Sequence, residues 1–365
     1  MGFFNFLKRV ESLIAVDIGF SAVKLLELDD SQEKPRLLNL AMKELPADAF
    51  SGNMINKPDK IAEVIGDLLA ANEIVNKRVA TAVPSPNVFT KRVKMPAAGG
   101  TELRTTVQYE AANFIPHNIE AVKLDYHIVG EAQKNQLDVL VAAAKNEVVD
   151  SYLECIGMAG LEIAVVDVDY FALQNMFELC YPEFLEKTVA LINIGARYSA
   201  INICRQGQAL FTGDISLGGK ALNDALMQGL GISFAESEKL KISLGRKTPA
   251  AENLSLDAAC EILDKHVEYA ASEFNRQLSF FWNACGAEGG IDQIMLCGGG
   301  SLLPELPAEL SGKSGIECLV LDPLRGLDCR VGFDRLFLAE MAPFMGVAVG
   351  LALRHPGDKV MPEIE

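Results

Sequence analysis

Groups that hold metals are scarce in this chain. Its 365 residues include 4 histidines and 8 cysteines, and none is spaced as a ligand pair. No CxxC occurs, and His117, His127, His266 and His355 lie far apart. The pattern argues against a zinc site or disulfide framework and for buried free thiols in a reducing compartment. Basic charge is also short: 33 Lys and Arg face 49 Asp and Glu, a net charge of −16. Nucleic acid needs a basic surface, so that class is disfavoured. So is unaided adsorption to anionic lipid. The acidic balance favours solubility and a basic partner. No run of about 18 apolar residues exists, which argues against a membrane-spanning helix. The opening MGFFNFLKRVES has too short an apolar run, followed by Lys8-Arg9, for a secretory signal. It reads as a short amphipathic helix, touching a membrane or a neighbouring chain or packing on its own domain. Phe6 stands where a myristoylation signal wants Ser or Thr.

What is present is concentrated in three stretches. Leu13 to Leu28 reads LIAVDIGFSAVKLLEL. Two apolar runs flank a Gly-containing turn, and both are short, so the stretch predicts a β-hairpin. Gly19 lets backbone N–H groups approach a polyphosphate. Ser21 supplies a hydroxyl, Lys24 a cation, and Asp17 a hard oxygen for a metal. Alone, the stretch also fits an ordinary hairpin whose Asp and Gly only make the turn. Val189 to Cys204, VALINIGARYSAINIC, repeats the grammar, with Asn193 and Gly195 in the places of Asp17 and Gly19. Two such hairpins about half a chain apart predict an internal duplication. The third stretch, IDQIMLCGGGSLLPEL, ends an apolar strand in Gly298-Gly299-Gly300 and enters a helix-like segment. Glycine turns between a strand and a helix are ready nucleotide sites.

Together these stretches resemble the actin-like ATPase superfamily, which includes actin, sugar kinases and the bacterial FtsA and MreB. The resemblance implies that the hairpins are phosphate loops one and two and the triple glycine an adenosine loop. Ser237-Glu238-Lys239-Leu240-Lys241-Ile242 resembles the helix whose Glu and Lys flank adenosine in bacterial actins, which assigns Glu238 and Lys241. Gly218-Gly219 resembles the family turn entering a helix. Asp169 matches the crossover-helix acid of the family and is the candidate catalytic residue, although Asp is shorter than Glu and Tyr170 stands where a proline is usual. Asp17 and Asp214 are the implied holders of Mg²⁺, and ATP is the implied nucleotide. At most a slow ATPase is expected.

The implied fold is α/β: an actin-like (ribonuclease H-like) two-lobed ATPase fold with an inserted small α+β subdomain. Residues 1–78, completed by 161–185 and 335–365, form the first lobe. Residues 79–160 form the insertion, of the kind FtsA-type proteins carry, and 226–290 a helical subdomain. Residues 186–225 and 291–334 form the second lobe. Pro84 to Asn87 reads as a loop in which prolines forbid helix. Residues 88–95 alternate as a half-exposed strand, and 101–114 read as a helix.

Within the superfamily the pattern is most similar to the PilM family of type IV pilus assembly proteins. That resemblance implies a cytoplasmic adaptor, held at the inner membrane through partners. Its implied partner is the N-terminal cytoplasmic peptide of PilN, lying in a groove between the first lobe and the insertion, near Val83 and Val88. Other pilus platform proteins, motor ATPases and self-association are further implied partners. The alternatives are an FtsA-like cell-division protein and an actin-fold phosphotransferase. The chain end from Gly357 does not resemble the amphipathic helix of FtsA, and beyond Asp169 no substrate base is evident.

Overall fold

A computed structural model describes residues 12–31, 34–97, 100–116, 118–133, 135–245, 256–285 and 289–358. The expected N-terminal amphipathic helix lies outside them. The first hairpin is formed by β1 (Ile14–Ile18) and β2 (Ala22–Asp29), followed antiparallel by β3 (Arg36–Glu44). A small hairpin, β4 (Phe50–Ser51) and β5 (Met54–Ile55), leads to helix α1 (Pro58–Ala71). Pro58 opens that helix, where its missing N–H costs nothing, and Asp59 suits the first turn. Ile61, Val64, Ile65, Leu68 and Leu69 bury its inner face. Then come β6 (Arg78–Val83), β7 (Val88–Pro96), α2 (Gly100–Ala112), β8 (Val122–Gln133), β9 (Gln136–Lys145), α3 (Asn146–Met158) and β10 (Glu162–Val168).

The crossover helix is α4 (Asp169–Cys180). The second half begins with β11 (Val189–Ile194), β12 (Ser199–Arg205) and β13 (Gln208–Ile215). Helices α5 (Gly219–Leu230), α6 (Phe234–Gly245) and α7 (Leu256–Cys285) follow. The chain closes with β14 (Gln293–Cys297), α8 (Leu306–Ser314), β15 (Cys318–Val320), β16 (Asp328–Cys329), α9 (Arg335–Met341) and α10 (Gly346–Ala352).

Two large sheets result. One has the order β10-β6-β1-β2-β3-β16 and the other β15-β14-β11-β12-β13. The first five strands of each correspond one to one. In both, the hairpin's first strand pairs antiparallel with its second and parallel with a later strand. The backbone therefore carries the duplication that the hairpin sequences predict.

Helices α4 and α10 lie between the sheets. Ala172, Leu173, Met176 and Phe177 of α4 share one core with Val347, Ala348 and Leu351 of α10, Ala15 and Leu26 of the first sheet, and Leu191 and Met295 of the second. Their approach is closest at Gly350, where an added Cβ would stand 1.6 Å from the Ala172 carbonyl oxygen. The outer face of the first sheet is covered by α1 and α3, and that of the second by α5, α7 and α8.

A separate sheet, β7-β9-β8, packs its own core against α2 through Leu103, Val107 and Val139. It is narrower than the expected 79–160 insertion. Strand β6 belongs to the first large sheet, and α3 buries Val148, Val149 and Tyr152 against that sheet and α1. Val83 sits in this core with 3% exposure, so it cannot floor a peptide groove, and only Val88 remains half-buried at the surface. Strand β16, expected in the second lobe, pairs with β3 of the first. The Pro84–Asn87 segment makes one 3₁₀ turn at Ser85–Asn87, which a proline in the first positions permits.

Candidate functional site

The first hairpin turn is closed by the Gly19 N–H donating to the Ala22 carbonyl at 3.0 Å. The second repeats this bond, Gly195 N–H to the Tyr198 carbonyl, also at 3.0 Å. Asp17 and Lys24 are direct cross-strand partners, and Lys24 Nζ donates to Asp17 Oδ2 at 2.7 Å. Both are largely buried. The equivalent pair in the second hairpin is Asn193 opposite Ala200. The charged pair thus occurs once in a duplicated backbone. Ser21 is exposed on the first turn.

The remaining glycines gather on the second hairpin. Helix α5 begins at Gly219, whose N–H donates to the Gly195 carbonyl at 2.9 Å. Lys220 N–H donates to the Ala196 carbonyl at 2.8 Å. A Cβ at Gly218 would lie 2.7 Å from the Gly195 oxygen, so this turn has no room for a side chain. At Gly298, φ is +80° and a Cβ would meet Asn193 Oδ1 and the Ile194 carbonyl at 2.5 Å, two separate reasons for glycine. A Cβ at Gly300 would lie 2.1 Å from Ile194 Cγ2, and one at Gly299 2.8 Å from the Phe344 ring. The glycine run enters a single 3₁₀ turn, Gly299–Leu302, and α8 starts only at Leu306 after Glu305 at φ +63°. The helix N-terminus expected directly after the glycines is therefore displaced.

Lys241 Nζ donates at 2.7 Å to both Glu238 Oε2 and Asn223 Oδ1, and Asn223 Nδ2 donates to Glu238 Oε2 at 2.9 Å. Asn223, on α5, went unnoticed in the sequence, because its partners lie on the next helix. Gly219 is beside this group: its Cβ would be 3.3 Å from Lys241 Nζ. Glu238, Lys241, Gly219 and Gly195 are thereby joined through one chain of contacts.

Asp214 lies on β13 opposite Ala200, in the same cross-strand row as Asn193. Successive strands are about 4.8 Å apart, so Asp214 and Asn193 are two strand spacings apart on one face. Burial pushes the Asp214 carboxyl above its ordinary range. Among the described residues no group of three His, Cys, Asp or Glu side chains is gathered for a metal. Mg²⁺ ordinarily takes one or two carboxylates, water and phosphate oxygens, and Asp17, one residue before the end of β1, is a carboxylate of that kind.

Asp169 opens α4 and is 6% exposed. Its carboxylate accepts from Ser85 N–H at 3.2 Å, Ser85 Oγ at 3.3 Å, Tyr170 N–H at 2.7 Å and the Tyr198 hydroxyl. Together these donors engage both oxygens of the carboxylate. Ser85 and Tyr198 were not singled out in the sequence; superposing the hairpins would have placed Tyr198 at the position of Ala22. Among the described residues the buried Tyr152 hydroxyl has no hydrogen-bond partner, and it feels the charges of Asp17 and Asp169.

Burial raises the Asp169 pKa to about 7, against the opposing pull of Tyr198 and the backbone donors. Unfolded, the same carboxyl releases its proton near pH 4. Between these values the folded chain binds the extra proton, so this group's contribution to stability falls as pH rises and levels off above about 7. Relative to Asp169→Asn, the wild type should gain about 2 kcal/mol as pH drops from about 8 to about 5.5. Urea unfolding of both proteins across that range checks this; a constant difference would refute it.

Three further contacts reach the second lobe, one from the first lobe and two from the inserted sheet. The Arg197 guanidinium lies 4.9 Å from the Phe20 ring centroid and 5.9 Å from that of Phe50, and donates to the Gly52 carbonyl. Thr90 and Thr212 hydroxyls are 2.7 Å apart, and Arg92 donates to Gln208 at 3.3 Å. Strand β7 is therefore tied to the second lobe along part of its length.

The family model described as "Type IV pilus assembly protein PilM" matches residues 15–356 of this chain. Among solved structures, a "PilM-PilN type IV pilus biogenesis complex" is similar at 28% identity, with a TM-score of 0.82, covering 94% of this chain and 98% of that one. The ethanolamine utilization protein EutJ from Carboxydothermus hydrogenoformans follows at 14% identity, TM-score 0.56 and coverages of 94% and 92%. MreB 5 of Spiroplasma citri bound to AMPPNP has 11% identity, TM-score 0.51 and coverages of 93% and 94%. The last two are likenesses of fold, and the fold is actin-like.

Proposed function

Because the chain belongs to the PilM family of type IV pilus assembly proteins, we propose that it is a nucleotide-binding adaptor that recognises the N-terminal peptide of PilN. The observation that carries the partner is its whole-length likeness to the PilM of a PilM–PilN complex. The nucleotide half of the reading is supported by the paired hairpins and the glycine turns built against the second one. In that reading ATP lies between the hairpins. Gly19, Ser21 and Lys24 hold phosphates from one side, and Asn193, Gly195 and the Gly218-Gly219 turn face them. Glu238, Lys241 and the Gly298–Gly300 run hold adenosine. Asp17 and Asp214 are the carboxylates that would hold Mg²⁺ through water, and the ion would neutralise charge beside the phosphates. The adaptor sits on the cytoplasmic face of the inner membrane through its partner.

Hydrolysis is slow in this reading, because the Asp169 carboxylate is already engaged by the Ser85 and Tyr170 N–H groups and the Tyr198 hydroxyl. Steady-state turnover should stay below about one per second, at the low end of the enzyme range. A synthetic PilN N-terminal peptide should bind the full chain at micromolar concentration or tighter, as calorimetry reads it. Val88→Glu should weaken that binding about tenfold in a chain that still melts cooperatively. Val83→Glu is no such test, since a charge in that core unfolds the first lobe. Peptide affinity unaffected by Val88→Glu would refute the groove, and no peptide binding at all would refute the adaptor.

A further inference from the structure

The surface around β16 departs from the rest of this acidic chain. The segment 328–330 zips onto the edge strand β3: Asp328 N–H donates to the Pro35 carbonyl at 2.9 Å and Arg330 N–H to the Leu37 carbonyl at 3.1 Å. The zipper forms a cleft of about 410 Å³, lined by Arg36, Asp328, Cys329, Arg330 and Val331. Asp328 is neutralised by Lys34 at 3.0 Å. Asp334 is occupied at its own helix end, where it accepts from Leu336 N–H at 2.9 Å. Among the described residues Arg36, Arg330 and Arg335 form no ion pair. The lining therefore carries Arg36 and Arg330 against one carboxylate, Asp328, which Lys34 pairs, in a chain of net charge −16.

Apolar side chains stand out beside these cations. Val331 is 99% exposed, Leu336 75% and Phe337 41%. They are not the floor of a groove. Val331 projects from its loop, touching almost nothing of its own chain, and Leu336 and Phe337 open the short helix behind it.

We propose that this edge is a lipid contact: Arg36 and Arg330 take the phosphate of an anionic headgroup in the cleft, while Val331, Leu336 and Phe337 enter the interfacial layer. Charge selects an anionic ligand, and the protrusion selects a bilayer over an acidic protein. A folded partner needs a pocket matched to each projecting side chain, whereas a bilayer deforms around them. Basic residues near an anionic membrane surface each add attraction within a Debye length. The acidic remainder of the chain opposes adsorption, so only an orientation led by this edge binds. The net charge, which argues against lipid, is overruled locally. This contact would add a direct foothold to attachment through a membrane partner, and it does not depend on the nucleotide or peptide readings.

The test is flotation of the full chain with vesicles of mixed phosphatidylglycerol and phosphatidylcholine, compared with phosphatidylcholine alone. Binding is expected to the mixed vesicles only, and to weaken as salt rises through about 0.15 M. Val331→Asp, at a site where no packing is lost, and Arg330→Glu/Arg335→Glu should each lower the vesicle-bound fraction about tenfold or more with unchanged melting midpoints. Absence of wild-type binding overturns the proposal. So does binding that survives both variants, which would place the contact elsewhere, such as in residues 1–11. Equal binding of Val331→Asp and wild type to soluble polyglutamate, with no vesicle binding by either, would reassign the cleft to an acidic protein.

Discussion

Gly350→Ala should lose the native fold at a temperature the wild type tolerates. The added methyl would stand 1.6 Å from the Ala172 carbonyl oxygen and 2.4 Å from its carbon, both backbone atoms of α4. No rotamer relieves such a clash. Helix α10 must move off α4, and both touch the core between the two sheets. Overpacking with movable side chains costs about 1–3 kcal/mol, and a backbone obstacle belongs at or beyond the upper end. A cost of about 3 kcal/mol corresponds to a melting shift of roughly 4 °C or more for a chain of this length. Gly312→Ala is the control, because nothing lies within 4 Å of the Cβ there. Calorimetric melting of the three proteins decides it; equal midpoints for Gly350→Ala and wild type would mean that α4 and α10 are not packed this closely.

Lys24→Ala should weaken ATP·Mg²⁺ binding roughly tenfold to a hundredfold. Free of ligand, Lys24 is engaged by Asp17 at 2.7 Å. In the proposed reading, Asp17 would hold the metal through water, and Lys24 would then be free to donate to the phosphates. Removing it deletes a charge-assisted hydrogen bond of about 1.5–3 kcal/mol. Ser21→Ala, on an exposed neutral donor, should change affinity only a few-fold. Titration calorimetry with nucleotide-free protein measures both. An unchanged Kd for Lys24→Ala would remove the phosphate role from this hairpin, and no heat or melting shift with millimolar ATP for the wild type would remove the nucleotide.

The hairpins were legible because their information is local. An apolar run, Asp-Ile-Gly or Asn-Ile-Gly, and a second apolar run fix turn and register within a dozen residues, and the repeat exposed the duplication. The surroundings of Asp169 were not legible. Two of its donors, Ser85 and Tyr198, are remote in sequence and delivered by folding. Val83 shows the limit of alternation. The pattern of β6 identifies a strand but not that α3 returns from the insertion to cover its outer face. The same return of α3 makes the insertion smaller than its sequence boundaries. Strand β16 is two residues long and pairs across the molecule, so no periodicity announces it. The basic edge escaped because Arg36 and Arg330 are neighbours only through that pairing.

The contacts that reach the second lobe help set how often the molecule comes apart. The Arg197 bond to Gly52, the Tyr198 bond to Asp169 and the Thr90–Thr212 bond must all break when that lobe separates. At about 1 kcal/mol net for each, these three bonds favour the closed form by a factor of roughly 150, to which the shared core adds. A ligand that enters only through the separated form sees its apparent affinity reduced by that form's share of the population. A partner that replaces any one of these contacts would raise the open population about fivefold per kcal/mol. Occupancy of the cleft would then report on what touches the outside of the protein, even if no phosphate bond is ever cut.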